Sequence, residues 1–167
     1  VQHFEQRLFA NANQGKGMIV AMSRRIAVDL YNAIIALRPA WSGGDLYDGV
    51  IKVIMTSSAA DGAALAKHHT TKKDRQILAN RMKDPEDKLK LVIVRDMWLT
   101  GFDAPSMHTL YIDKPMKGHN LMQAIDRVKL MYKYKAGGLV VVSLGLSADL
   151  KDDFSFYSEA RGNGDQE

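Results

Sequence analysis

Short apolar runs recur along the chain: Met18–Met22, Val50–Met55, Leu89–Val94, Leu110–Asp113 and Leu139–Val142. Runs of this length, rich in β-branched residues and bounded by polar turns, predict buried strands. After the first run, Arg24–Leu37 places Ile26, Leu30, Ile34 and Leu37 at spacings of three and four. That pattern predicts an amphipathic helix with Ser23 as its N-cap and Pro39 as its stop. A basic helix is predicted from about Lys72 to Lys83, ended by Asp84 and Pro85. Two more are predicted, from Asn120 to about Lys133 and from Ser147 to near Tyr157. Strands alternating with helices predict an α/β domain with a mostly parallel sheet flanked by helices, because crossover connections lay helices on both faces. Binding sites are then expected beyond the carboxyl ends of the strands.

Outside this pattern, Phe4, Leu8 and Phe9 mark an amphipathic N-terminal segment, and Asn11–Gly17 reads as a polar, Gly-rich linker. The last residues, Arg161–Glu167, are polar and expected to be mobile. The divisions expected are residues 1–15 as linker and N-terminal helical segment, 16–157 as the domain, and 158–167 as a flexible tail.

Composition narrows the chemistry. The chain has 167 residues, 46% of them hydrophobic, and no Cys, so it can bury a core of single-domain size and has no thiol for redox work or zinc ligation. No apolar run approaches the ~18 residues that span a bilayer, and Val1–Ala10 mixes charge with apolar positions, unlike a signal peptide. A cytoplasmic protein is expected. Its first residue is Val and its start falls within the amphipathic segment, which suggests a piece of a longer protein, although processing would look the same. With 23 Lys and Arg against 19 Asp and Glu, the mild positive charge suits an anionic partner without demanding one.

Four groups of residues could carry chemistry. Gly15, Lys16 and Gly17 precede a strand, whereas a phosphate-cradling loop follows one and opens a helix, so they are read as linker. His68 and His69 are adjacent, so they point about 100° apart on a helix and do not suit a shared metal; solvated side chains are expected. The segment from Val94 to Pro105 leaves a buried strand and places Arg95, Asp96, Thr100, Gly101 and Asp103 in a carboxyl-end loop. There Arg95 and Thr100 can donate to phosphate, a carboxylate can accept from a sugar hydroxyl, and Gly101 permits close backbone approach. An ordinary loop ended by Pro105 fits equally well. Gln123 and Arg127, four residues apart, share one helix face, which is either solvated or turned to a phosphoryl group, for which a guanidinium is well shaped.

Taken in order, the strand followed by Ser23, Arg24 and Arg25, the loop Thr100–Pro105, and the helix with Gln123 and Arg127 resemble the fourth, fifth and sixth motifs of superfamily 2 helicases and translocases. More narrowly, Met18–Leu37, Leu89–Lys117 and Gly118–Arg127 are similar to the motor (restriction) subunit of type I restriction–modification enzymes. The resemblance covers about residues 16 to 157; its long loop motif is specific and its Gln-x-x-x-Arg is short. It implies a RecA-like three-layer fold, the second of two such domains, with ATP and Mg2+ held mainly by the first. It further implies that Gly101, Asp103, Gln123 and Arg127 face the interdomain nucleotide, with Arg127 catalytic. Ser23, Arg24, Thr56, Arg95 and Thr100 would then face DNA phosphates. Implied partners are double-stranded DNA, the first RecA-like domain of the same chain, and modification and specificity subunits; no membrane is implied.

The chain departs from the family's sixth motif at Leu130, where a second Arg usually stands as the finger that stabilises charge in phosphoryl transfer. Ser57, where a Gly is common, is a smaller departure. Two further readings therefore stand beside the motor half. One is a non-catalytic α/β nucleic-acid-binding or subunit-docking module that has lost its finger. The other is a small-molecule enzyme of the doubly wound class, for which no acid–base pair or Gly-rich fingerprint is visible. By itself the chain is not expected to hydrolyse ATP, since it has no Walker A motif; an endonuclease activity of the parent would sit in another domain.

Overall fold

The structure is a computed structural model in which residues 1–10, 12–98, 102, 104, 106–116, 121–123 and 138–142 are described. In chain order the elements are α1 (Gln2–Ala10), β1 (Lys16–Ala21), α2 (Arg24–Leu37), a 3-10 turn (Pro39–Trp41), β2 (Ile51–Val53), α3 (Ala63–Ala66), α4 (Lys72–Lys83), β3 (Leu91–Val94), β4 (Met107–Asp113) and β5 (Leu139–Val142). The strands form one parallel sheet in the order β2-β3-β1-β4-β5. Val20 of β1 stands between Val94 and Ile112, so the centre of the sheet is apolar on both sides.

The inner strands β3, β1 and β4 divide their side chains between two cores, because successive residues point to opposite faces. Met18 and Val20, Val92 and Val94, and Leu110 and Ile112 pack with Leu78 and Met82 of α4 and with Leu121 and Met122. On the other face Ala21, Leu91, Ile93, Ile51 and Val53 pack with Ala27, Val28 and Ile34 of α2 and with Phe4 of α1. The chain moves outward from β1 to β2 and then back to β3, and right-handed crossovers that reverse direction place their helices on opposite faces. A three-layer α/β domain results.

Local signals set the helix ends. The Ser23 hydroxyl accepts from the Ile26 amide at 3.1 Å to start α2. Thr71 and Asp74 form a reciprocal capping box at the head of α4. α1 is docked on the α2 face: Phe4 is buried, Glu5 pairs with both nitrogens of one edge of Arg38 (2.6 and 2.8 Å), and His3 meets the Tyr111 hydroxyl at 2.8 Å. A side chain at Gly17 would come within 2.6 Å of the Phe4 ring, so glycine is what lets α1 lie this close to β1.

Two expectations are corrected here. Lys16 and Gly17 belong to β1, not to a linker, and Lys16 is wholly buried. Its ammonium donates to the carbonyls of Arg81 (3.2 Å), Asp87 (3.0 Å) and Leu89. The reason is that the end of α4 and the loop leading to β3 turn three carbonyls inward at the amino edge of the sheet, and a lysine reaches all three. Likewise, His68 and His69 are not solvated. His68 is half-buried with its ring edge-on to Tyr31 at 4.8 Å, and burial pushes its imidazole down to about 4. His69 bonds to Asp61 at 2.7 Å. Both turn inward because the chain at His69 and Thr70 is pinned beside Met55: Met55 bridges His69, and Thr70 donates its hydroxyl (2.6 Å) and amide (3.0 Å) to the Met55 carbonyl.

Candidate nucleic-acid interface at the carboxyl edge of the sheet

β2, β3 and β1 are neighbours and parallel, so their carboxyl ends lie side by side. Ser23 and Arg24 follow β1, Thr56 follows β2, and Arg95 follows β3. With strands about 4.8 Å apart, these ends span about 10 Å. Ser23 is committed to its cap. Thr56 and Arg95 are exposed.

Arg24, at the first turn of α2, reaches across to the loop after β2. Its Nη2 donates to the Thr56 carbonyl at 2.6 Å and to the Asp61 carboxylate. Asp61 accepts from His69 as well, through the same Oδ2. The Asp61 side chain is only 8% exposed, and the Arg24 and His69 side chains 23%. The Arg24 hydrogen bond first, and then that of His69, hold the Asp61 carboxyl below its usual range against the opposing effect of burial. Arg25, by contrast, points outward beside Asp29 at 3.9 Å.

A second group lies on the ends of β3 and β4. Asp96 accepts from Lys114 and lies 3.4 Å from Arg95. Trp98, two residues on, has a left-handed backbone (φ 66°) and stacks on Phe102 at 4.4 Å with rings 8° from parallel; Lys83 lies 5.9 Å from the Phe102 ring. A bulky residue in that conformation is strained and is held by its packing.

The structure thus brings together Ser23, Arg24 and Thr56, with Arg95 on the adjacent strand end. Gln123 is half-buried on the helical turn 121–123, whose Leu121 and Met122 share a core with Val94, Ala104 and Met116. Thr100, Gly101, Asp103, Arg127 and Leu130 lie outside the described residues, as do the helices expected at Asn120–Lys133 beyond this turn and at Ser147–Tyr157, and the tail. The sequence reading missed Asp61, His69 and Lys114. Their only signal is position, an acid or base in a loop that leaves a strand's carboxyl end, and nothing in the sequence says which loops meet.

The described residues form a RecA-like α/β fold. It superposes on the crystal structure of the C-terminal part of the Fun30 ATPase domain with a TM-score of 0.52 at 17% identity, covering 84% of this chain and 39% of that one. Residues 50–143 match the family described as type I restriction enzyme subunit R domain 3, and the chain belongs to that family. It is 50% identical over 98% of its length to the type I restriction enzyme HindI endonuclease subunit of Haemophilus influenzae. To a Methanocaldococcus jannaschii protein named for the type I restriction enzyme MjaIXP endonuclease subunit it is 44% identical over 96%. The chain spans 16% and 15% of the length of these two relatives. Among the described residues no helix is long and apolar enough to cross a membrane.

Proposed function

We propose that this domain is the C-terminal RecA-like half of an ATP-dependent double-stranded DNA translocase, the motor of a type I restriction enzyme. In this reading it completes a nucleotide site between two lobes and contacts the DNA backbone. The observation that carries it is the placement of Ser23 and Arg24, Thr56, and Arg95 just beyond the carboxyl ends of three neighbouring strands. A span of about 10 Å is wide enough to meet more than one phosphate of a single strand. Thr100 is proposed to join them.

On the nucleotide side, Gly101, Asp103, Gln123 and Arg127 are proposed to face ATP, with Arg127 touching the transferred phosphoryl group. Gln123, an amide that can both donate and accept, is the one described member of that set, and it suits completing a site better than holding phosphates alone. Among the described residues no grouping of three or more His, Asp or Glu could hold a metal ion. ATP with Mg2+ is proposed to be held mainly by the first RecA-like domain and, when bound, supplies the free energy of phosphoryl transfer. The proposed partners are that domain, double-stranded DNA, and the modification and specificity subunits, in the cytoplasm. Leu130 favours a second reading, a DNA- or subunit-docking module without catalysis.

The test is duplex binding by the 167-residue chain over about 50 to 200 mM salt. Weak binding is expected, with log affinity falling steeply against log salt and without ATP hydrolysis. Salt-indifferent binding, or ATPase activity of this chain alone, would overturn the reading. In the longer parent subunit, Arg127→Ala should lower DNA-stimulated ATPase by about 10³-fold or more. Unchanged turnover there would favour the docking module.

A further inference from the structure

We propose that Asp61, itself held by His69, is a positioning residue that fixes the Arg24 guanidinium so that its free edge meets a DNA phosphate beside Thr56. This rests on the reading above, in which Arg24 faces DNA, and adds to it two residues from a different loop. Asp61 sits far along the loop after β2, yet its carboxylate is almost buried and both of its bonds come from cations or potential cations, Arg24 and His69. A nearly buried carboxylate must be matched by donors, so this contact is built into the loop and is not a chance meeting of surface chains. The guanidinium is constrained on two sides. Nη2 is engaged by both the Thr56 carbonyl and Asp61, and Nε is buried without a partner among the described residues. Nη1 makes no hydrogen bond among the described residues and is the donor left for an outside acceptor.

A planar fork with one edge pinned has few orientations left to lose when the other edge binds, so a phosphate contact gains from preorganisation. The acceptors that pin it come from the β2 loop, while Arg24 itself rides on α2. The contact therefore also ties the head of α2 to the loop after β2.

A simpler role would be that Asp61 competes with phosphate for Arg24 and weakens binding. The two roles predict opposite signs. Removing an anion from a DNA-facing surface strengthens binding through space, so weaker binding after Asp61→Asn can come only from lost positioning. The experiment is fluorescence-anisotropy titration of a labelled duplex with the 167-residue chain carrying Asp61→Asn, Arg24→Met or both, with thermal unfolding of each. The expected result is about 3- to 10-fold weaker binding for Asp61→Asn and a salt slope reduced by about 0.9, one phosphate contact. In the Arg24→Met background Asp61→Asn should cause no further weakening. Tighter binding by Asp61→Asn, or equal weakening in both backgrounds, would overturn the proposal while leaving the DNA-binding reading standing. No salt-dependent binding by the wild type would overturn both. Should Asp61→Asn fail to fold, the wild type suffices: the Arg24 Nη protons, assigned by their loss in Arg24→Lys, should give separate slowly rotating NMR signals, and one averaged signal would overturn the proposal.

Discussion

The two edges of the sheet use the same side chains in opposite ways. At the amino edge, Lys16 and Arg81 are both buried (0% and 7% exposed). Lys16 donates to three carbonyls. Arg81 pairs with Asp87 at 3.0 Å and donates to the carbonyls of Leu46 (2.8 Å), Asp48 (3.3 Å) and Gly49 (3.2 Å). Gly49 turns its backbone through a left-handed conformation (φ 92°) on the way into β2, a turn for which glycine is suited. At the carboxyl edge, Arg24, Arg95 and Lys114 lie against the carboxylates of Asp61 and Asp96, with partial or full exposure. A cation whose acceptors are inward-facing carbonyls cannot leave them without orphaning backbone groups. One whose partner is a carboxylate at an open edge can take up a phosphate as well. The buried charge that holds the fold and the more exposed charge proposed to meet a ligand thus lie at opposite ends of the same strands.

Breaking the amino edge should have the largest effect. Arg81→Ala takes the guanidinium from three carbonyls and from Asp87, which keeps only the Leu89 amide among the described residues, and is expected to destabilise by about 3–5 kcal/mol in urea unfolding. Next comes the pH dependence of Lys16, whose ammonium burial pushes down to about 8 from 10.5. Above pH 8 the folded chain gives up this proton while the unfolded chain keeps it. Stability from this group therefore rises between pH 8 and 10.5 and is lost as pH falls through 8. At 1.36 kcal/mol per pH unit the gap is worth about 3 kcal/mol, to be read as the change in stability difference between wild type and Lys16→Met at pH 7.5 and 10.5. A smaller effect is expected where the edges meet the helices: Ser23→Ala should cost about 1 kcal/mol through the lost cap of α2. Smallest in stability is Arg95→Met at the open edge, expected within about 0.5 kcal/mol of wild type because exposed pairs contribute little. Its salt slope for duplex binding should nevertheless fall by about 0.9. Arg81→Ala, measured where it remains folded, should leave that slope unchanged. If the two variants exchanged these signatures, the division between the edges would be wrong.

Much of the fold is legible in the pattern of residues because its determinants are local. The predicted spans of α2 and α4 coincide with the observed Arg24–Leu37 and Lys72–Lys83, since helical periodicity, a hydroxyl cap and a proline stop all act within a few residues. β5 was equally plain. β4 starts three residues earlier than its apolar run, at Met107, because Thr109 is fully buried despite being polar; its hydroxyl meets His108 Nδ1 at 2.6 Å. A pattern of apolar residues cannot see a polar group that is satisfied inside. The same blindness turned Lys16 into linker and left Arg81 as one more charge on a basic helix. For the site, Ser23, Arg24, Thr56 and Arg95 could be placed at strand ends from the sequence, whereas Asp61 and His69 could not, because the loop holding them is long and its path depends on Met55 and Thr70.

What the sequence determined by itself was the alternation of strands and helices, the ends of the main helices, and the family, all carried by residues near one another in the chain. Only the tertiary structure decided which cations are buried, which acceptors surround them, and which loop reaches Arg24. Those outcomes depend on carbonyls and carboxylates brought together from distant segments, and desolvation, which sets whether a charge belongs to the scaffold or to a ligand, is a property of that assembled surrounding and of no single residue.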